Sequence, residues 1–575
     1  MHLRFPISCF LIISLLLSCN DRSIPSDPAP LQTTYASPTR IMWTAGSPHN
    51  TPTLLEPFCG QVAVSEPATC TLQTGDALLL DYGRELHGGL RITSAIRSSK
   101  ATPHIRIRFG ESVSEAMSDV ASSTATNEHP LRDFETPLPW LGAYETGHTG
   151  FRFARIDILD DGGSPLPIVA IEAACRMREI AYAGSFRCSD QRLNAIWNTA
   201  AYTVHLNMQD YVWDGIKRDR LVWIGDMHPE VMTINTVFGS QDVVRQSLDF
   251  ARDGTRPDEW MNGICSYSMW WIIIQRDLYR YTGRRDYLLQ QHSYIASLLR
   301  RIASCTDGND ESFREGRFID WPTSENPESI HQCLQAMLVM TMQAGKDIAA
   351  ALGDTSLLDE CEACLKRVEG YVPSEPATKQ AAAFLSLAGL LEEDKAAAAI
   401  LKDGAQGFAT FTGYYMLEAL AKAGRYDEAL RIISDYWGGM LDLGATTFWE
   451  DLSYEDLAHA SRIDEFVPEG AFDIHKDGGA YCYKGLRHSL CHGWASGPAP
   501  WMSRHILGIE PLEPGFSQVS INPHLGSLDW AEGTFPTPKG IIEVSVRKSP
   551  DGKVKKHIKL PRGVRLVTRI PKEFK

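Results

Sequence analysis

Three aspartates and two tryptophans crowd the segment Trp213-Asp214-Gly215-Ile216-Lys217-Arg218-Asp219-Arg220-Leu221-Val222-Trp223-Ile224-Gly225-Asp226, which lies between two helical patterns. Ionised carboxylates accept hydrogen bonds from sugar hydroxyls, and indoles stack on the weakly polar C–H faces of a pyranose. The mixture therefore suits a saccharide better than a phosphate or a nucleobase. Far downstream, Gly444-Ala445-Thr446-Thr447-Phe448-Trp449-Glu450 ends on a second carboxylate beside an indole. Glycosidic hydrolysis needs two carboxyl groups facing each other across one bond, and these two segments are the candidates to supply them.

Segments so distant in sequence need a scaffold that brings loops together. From Ser189 onward apolar residues fall at helical spacing, as in Leu193, Ile196, Trp197, Ala200, Val204 and Met208. A helix–Gly–helix junction recurs at Gly283, Gly353 and Gly424, each glycine ending one helix in the left-handed conformation. The near-equal spacing predicts helical hairpins, closed into an α/α barrel whose loops converge on one mouth. Before this array, period-two runs such as Ile105-Arg106-Ile107-Arg108-Phe109 and Phe153-Ala154-Arg155-Ile156-Asp157-Ile158 predict a β-sandwich. After it, Gln518-Val519-Ser520-Ile521 and Ile541-Ile542-Glu543-Val544-Ser545-Val546 predict a smaller one. The expected architecture is multidomain: a central (α/α)6 barrel at 184–507 between an N-terminal β-sandwich at 41–183 and a C-terminal β-sandwich at 508–575.

Lys+Arg 56 against Asp+Glu 71 leaves a net charge of -15 over 575 residues, which disfavours nucleic acid as a partner. Residues 1–18, with Arg4 before the apolar run Phe10–Leu17, read as an export signal. Leu16-Leu17-Ser18-Cys19 is similar to a bacterial lipobox, with Cys19 the lipidated residue and 19–40 a Pro/Ser/Thr-rich tether. The chain is accordingly expected to be an exported periplasmic or cell-surface lipoprotein, anchored to a bacterial membrane. Setting aside Cys9 and Cys19, eleven of the thirteen cysteines remain, so at least one thiol stays outside intramolecular pairing. Cys361-Glu362-Ala363-Cys364 lacks a partner motif and reads as helix packing or a local disulfide rather than a metal site.

Asp214, Arg218, Asp219, Leu221, Trp223, Gly225 and Asp226, followed by Ala445 to Glu450 and by Ser489-Leu490-Cys491-His492, resemble the motifs of the α-L-rhamnosidases of glycoside hydrolase family 78. The resemblance runs over most of the mature chain. It implies an inverting exo-glycosidase acting on a rhamnose-containing oligosaccharide or glycoside, with Asp219 as general acid and Glu450 as general base. It also implies that Asp214, Asp226, Arg218, Trp223, Trp321 and His492 bind the sugar. Relatives commonly carry Glu at the acid position, so Asp219 is one methylene short, and Glu230 is the alternative acid. No cofactor and no catalytic metal are expected, while a structural calcium ion in a β-domain stays open. Two alternatives accompany this reading: the same fold acting on a different sugar, with Lys217 reshaping the subsite, and a lipid-anchored glycan-binding protein without turnover. Trp260, Trp270 and Trp271 fit core packing and are left outside the site.

Overall fold

The computed structural model describes residues 29–62, 64–65, 67–119, 130–481, 484–549 and 553–568. The export signal and Cys19 lie outside them. Nine N-terminal strands form one hydrogen-bonded sheet rather than two separate ones. Its spine is the long strand Ala77–Ser94, whose first half pairs with Thr149–Asp160 and whose second half pairs with Leu166–Arg178. The pairing register shifts between Asp81 and Leu86. Leu78 and Leu80 of the first half and Leu90 and Ile92 of the second share one buried core with Ile105, Ile107 and Phe151, so the sheet encloses its own interior. One expectation is corrected. Leu31–Ala36, read above as tether, is a strand paired along its length with Leu166–Arg178, because Thr33, Thr34 and Tyr35 are good strand formers beside an open edge.

The helical region follows. Helices Met227–Val237, Cys265–Thr282, Pro327–Leu352, Lys379–Leu387 and Gly413–Lys422 are buried along most of their length, and each packs on the next in the series. Between them run amphipathic partners such as Arg285–Ser304 and Thr355–Val368, with one apolar face inward. Gly283 and Gly353 cap their helices at φ 67° and 78°, and Gly424 stands one residue past its cap at 71°. The predicted punctuation is thus where the chain turns back. Leu193, Ile196, Trp197, Ala200 and Val204 are all buried on Gln191–Asn207, and Trp270 and Trp271 belong to the core. Among the described residues no helix is long and apolar enough to cross a membrane. Cys361 and Cys364 are free buried thiols in the same core, and the other described cysteines are free as well.

At the C-terminal end Trp530–Thr537, Gly540–Lys548 and Val554–Lys559 form an antiparallel sheet, beside a smaller one built on Gln518–Ile521. Its outer strand is Ser185–Cys188, which precedes the first long helix and pairs with Trp530–Thr537. The last domain therefore borrows a strand from the start of the helical region.

Candidate active site

Three loops meet at one end of the helical region. The connection between Gln191–Asn207 and Met227–Val237 carries Asp214 to Asp226. Its Gly215 bridges to His492, and the carbonyl of Asp214 accepts from the Gly493 amide at 2.8 Å. The Glu450 amide donates to the Ser489 carbonyl at 3.0 Å, and the His492 amide to the Phe448 carbonyl at 2.9 Å. The second and third motifs are thereby laid against each other and against the first. The carbonyl of Glu450 is pinned twice more, by the Trp494 indole N–H at 2.8 Å and the Thr410 hydroxyl at 2.6 Å.

The side chains converge on Arg218. Its guanidinium reaches Asp219 at 3.2 Å through one nitrogen and pairs with Glu450 through the other. Adjacent guanidinium nitrogens lie close together, so the two contacting oxygens are nearer than the roughly 9.5 Å upper limit for a carboxyl pair with a water between them. Burial opposes the charge of Arg218, but Glu450, Asp219 and Asp214 outweigh it and raise its pKa above the ordinary guanidinium value. His492 Nε2 stands 3.5 Å from Glu450, 3.7 Å from Asp226 and 3.9 Å from Asp214. Burial first, then Arg218, hold this imidazole well below its usual pKa, so it stays neutral. Asp214 and Asp226 move the opposite way: burial pushes both carboxyls well above the usual range, reinforced at Asp214 by Asp226 and at Asp226 by Glu450. A carboxyl that keeps its proton offers a sugar diol one donor and one acceptor.

Asp219 is the most open of the acidic groups, with a quarter of its side chain exposed against 6% for Glu450. Both it and Arg220 have φ of 53°, the left-handed region that non-glycine residues seldom occupy. Such strain of order 1–3 kcal/mol per residue persists only where the surroundings impose it, and it gathers at functional sites.

An aromatic wall runs away from the acids. Trp223 meets Tyr267 edge-on, Tyr267 meets Phe318, Phe318 meets Trp321, and Trp321 stacks on Tyr481 at 6.3 Å. The Tyr267 hydroxyl donates to Asp226 at 3.3 Å. Gly225 lets it approach, since a Cβ there would lie 2.1 Å from the tyrosine ring. Asp214, Arg218, Asp219, Trp223, Asp226, Glu450 and His492 thus fall in one neighbourhood, with Trp321 joined to its far end through Phe318. Tyr267, Phe318, Tyr481 and Trp494 were missed. The only sequence signal for Tyr267 was its place among the aromatics opening Cys265–Thr282, a pattern that fits core packing equally well.

Glu230 and Lys217 are placed differently from expectation. Glu230 is completely buried within Met227–Val237, neither carboxyl oxygen has a hydrogen-bond partner, and burial raises its pKa well above the usual value. It sits behind the wall formed by Gly493, where a Cβ would fall 1.7 Å from its Oε1, so it is a poor candidate to reach a glycosidic oxygen. Gly493→Ala is accordingly expected to destabilise the fold by about 1–3 kcal/mol in a denaturant titration, as overpacked cores do. Shortening the obstacle in Glu230→Ala should make the same change tolerable; equal cost in both backgrounds would rule out this contact. Lys217 points away from the acids into the N-terminal domain. Its ammonium lies within 3.5 Å of Glu111, Glu115 and His475, the one group of described residues spaced to hold a metal ion. The centre of that group is therefore taken by a cation of the chain itself.

Two carboxyls on a shared guanidinium, an acidic floor and an aromatic wall, set at one end of a helical domain between two β-domains, are the make-up of a six-hairpin glycosidase domain. The chain belongs to the bacterial α-L-rhamnosidases: the model of the bacterial alpha-L-rhamnosidase six-hairpin glycosidase domain matches residues 181–506, and that of the C-terminal domain matches 508–575. Among curated proteins it is 25% identical to an alpha-L-rhamnosidase of Alteromonas sp. (strain LOR), over 83% of this chain and 54% of that one. A second alpha-L-rhamnosidase, from Streptomyces avermitilis, is 23% identical over 82% of this chain and 46% of its own. The chain thus spans about half the length of these relatives. Its fold is similar to the GH78 rhamnosidase of Bacillus sp. GL1, with TM-score 0.72 and 22% identity, covering 90% of this chain and 55% of that one. It is also similar to the Streptomyces avermitilis alpha-L-rhamnosidase solved in complex with L-rhamnose, with TM-score 0.69 and 17% identity, covering 93% and 50%.

Proposed function

We propose that this chain is an exported, lipid-anchored exo-α-L-rhamnosidase that hydrolyses terminal rhamnosyl residues with inversion. The six hairpins are taken to close into an (α/α)6 barrel with the site at its mouth. The observation that carries the reading is the single guanidinium of Arg218 joining Asp219 to Glu450 over a floor of Asp214, Asp226 and His492. Rhamnose as the sugar is supported by the family and by the rhamnose-bound neighbour.

In this mechanism Asp219, the carboxyl most open to solvent, gives its proton to the glycosidic oxygen as the bond to C1 breaks. Glu450 takes a proton from a water on the opposite face, and that water's oxygen bonds to C1. Arg218 fixes the spacing of the two, while Asp214 and Asp226 bind the ring hydroxyls. The chemistry runs between carboxyls and needs no metal. Proton NMR of the first product from a panel of α-glycosides tests sugar and stereochemistry together. The expected first signal is β-L-rhamnose, mutarotating afterwards. If α-L-rhamnose appeared first, inversion would be wrong, and turnover of another glycoside in place of rhamnosides would change the sugar.

A further inference from the structure

We infer that Lys217 is a positioning residue through which the N-terminal β-domain shapes the catalytic turn, an inference that rests on the proposed roles of Asp219 and Glu450. The Lys217 ammonium donates to the carbonyls of Leu486 and His488 at 2.6 and 2.8 Å and pairs with Glu115 at 3.0 Å. Glu115 is held in turn by Arg132 at 2.7 Å. Glu111, 3.5 Å from the same ammonium, accepts from the amide of Leu490 at 2.7 Å. One buried cation thus ties the first motif to the third and to two carboxyls contributed by the other domain.

The grip continues past Lys217. Arg220 donates to the carbonyl of His148 at 2.8 Å, and Gly150 lies so close that a Cβ there would stand 2.7 Å from Ile216 and 2.9 Å from the Lys217 amide nitrogen. The second motif is held from the same side: the Glu85 amide donates to the Thr446 hydroxyl at 2.8 Å, and Arg152 donates to the Gly444 carbonyl at 3.0 Å. The anchors at Lys217 and Arg220 bracket Asp219, and Asp219 and Arg220 are the two residues of this turn at positive φ. A turn that strained does not hold its shape unaided, and the β-domain supplies the constraint. The lysine is buried and contacts neither Asp219 nor Glu450 directly, so it acts on the reaction through the backbone it holds: the turn that carries Asp219 and the Leu486–His488 segment beside the third motif.

The test is Lys217→Met, with Lys217→Met/Glu111→Gln as a second variant that removes one carboxylate left without its cation. Deuterium exchange of the amides at 214–221 needs no turnover, and it is expected to quicken by about tenfold or more while the strand Ala77–Ser94 exchanges as before. Misplacing an acid by an ångström costs about 10²-fold. A poor alkyl leaving group should therefore lose that much in kcat, an activated dinitrophenyl glycoside should lose far less, and KM should change little for either. Unchanged exchange in the turn, uniformly faster exchange throughout, or equal losses for both leaving groups would each overturn the inference. A wild-type protein that cleaves neither glycoside overturns the proposed activity instead, and the exchange data then decide alone whether Lys217 holds the turn.

Discussion

Glu450→Gln is expected to lower kcat by about 10³-fold or more on any rhamnoside while KM stays within about threefold, because general-base catalysis contributes about 10²–10⁴-fold and no competent substitute stands nearby. The amide fills the same space and can still accept from Arg218 and from the Ser489 amide, 3.3 Å away in the native protein. It cannot take a proton from water. His492, 3.5 Å off, is unprotonated but weakly basic, since burial has driven its pKa far down. The loss should be the same for good and poor leaving groups, because water activation does not depend on what departs. Steady-state kinetics on both kinds of substrate checks this. A loss below tenfold would mean that another group activates the water.

Asp219→Asn should separate substrates that Glu450→Gln treats alike. A dinitrophenolate leaves without protonation and should lose less than about tenfold, whereas an alkyl or sugar aglycone should lose about 10²–10³-fold. Replacement by Asn preserves size at a position where the backbone is already in the left-handed region, and Asn tolerates that region as well as Asp does. The effect should therefore be chemical rather than conformational, with the unfolding midpoint nearly unchanged. Equal losses across leaving groups would move the acid to a different residue. The missing methylene relative to a glutamate is met, on this view, by a turn that bends the main chain itself.

Much of this site was legible in the sequence. Trp213 to Asp226, Ala445 to Glu450 and Ser489 to His492 announce themselves because their chemistry is local, and the glycines at 283, 353 and 424 mark turns that no other residue makes as easily. What escaped was long-range. Glu111 follows the strand His104–Gly110, Glu115 lies on the short helix Val113–Met117 and Arg132 ends a helical turn, and nothing in that local pattern says that the two glutamates reach Lys217 across a domain boundary or that Arg132 holds Glu115 there. Tyr267 was hidden among core aromatics. The strand Leu31–Ala36 was hidden by a polar composition that suits a tether as well as an edge. The orientation of Lys217 was not legible: beside two candidate site residues, a lysine allows a role at the sugar, and only the packing shows it facing backwards.

The strand Ser185–Cys188 carries a lesson for anyone wishing to graft this catalytic unit onto another scaffold. Four residues ahead of the first long helix complete a sheet whose remaining strands arrive only after the last hairpin. Cutting at the apparent seam would strip Phe186 of its cover and leave a raw ladder of amides and carbonyls, which invites neighbouring copies to aggregate. The seam visible in the primary structure is a weld in space, and the two pieces are best inherited, or transplanted, together.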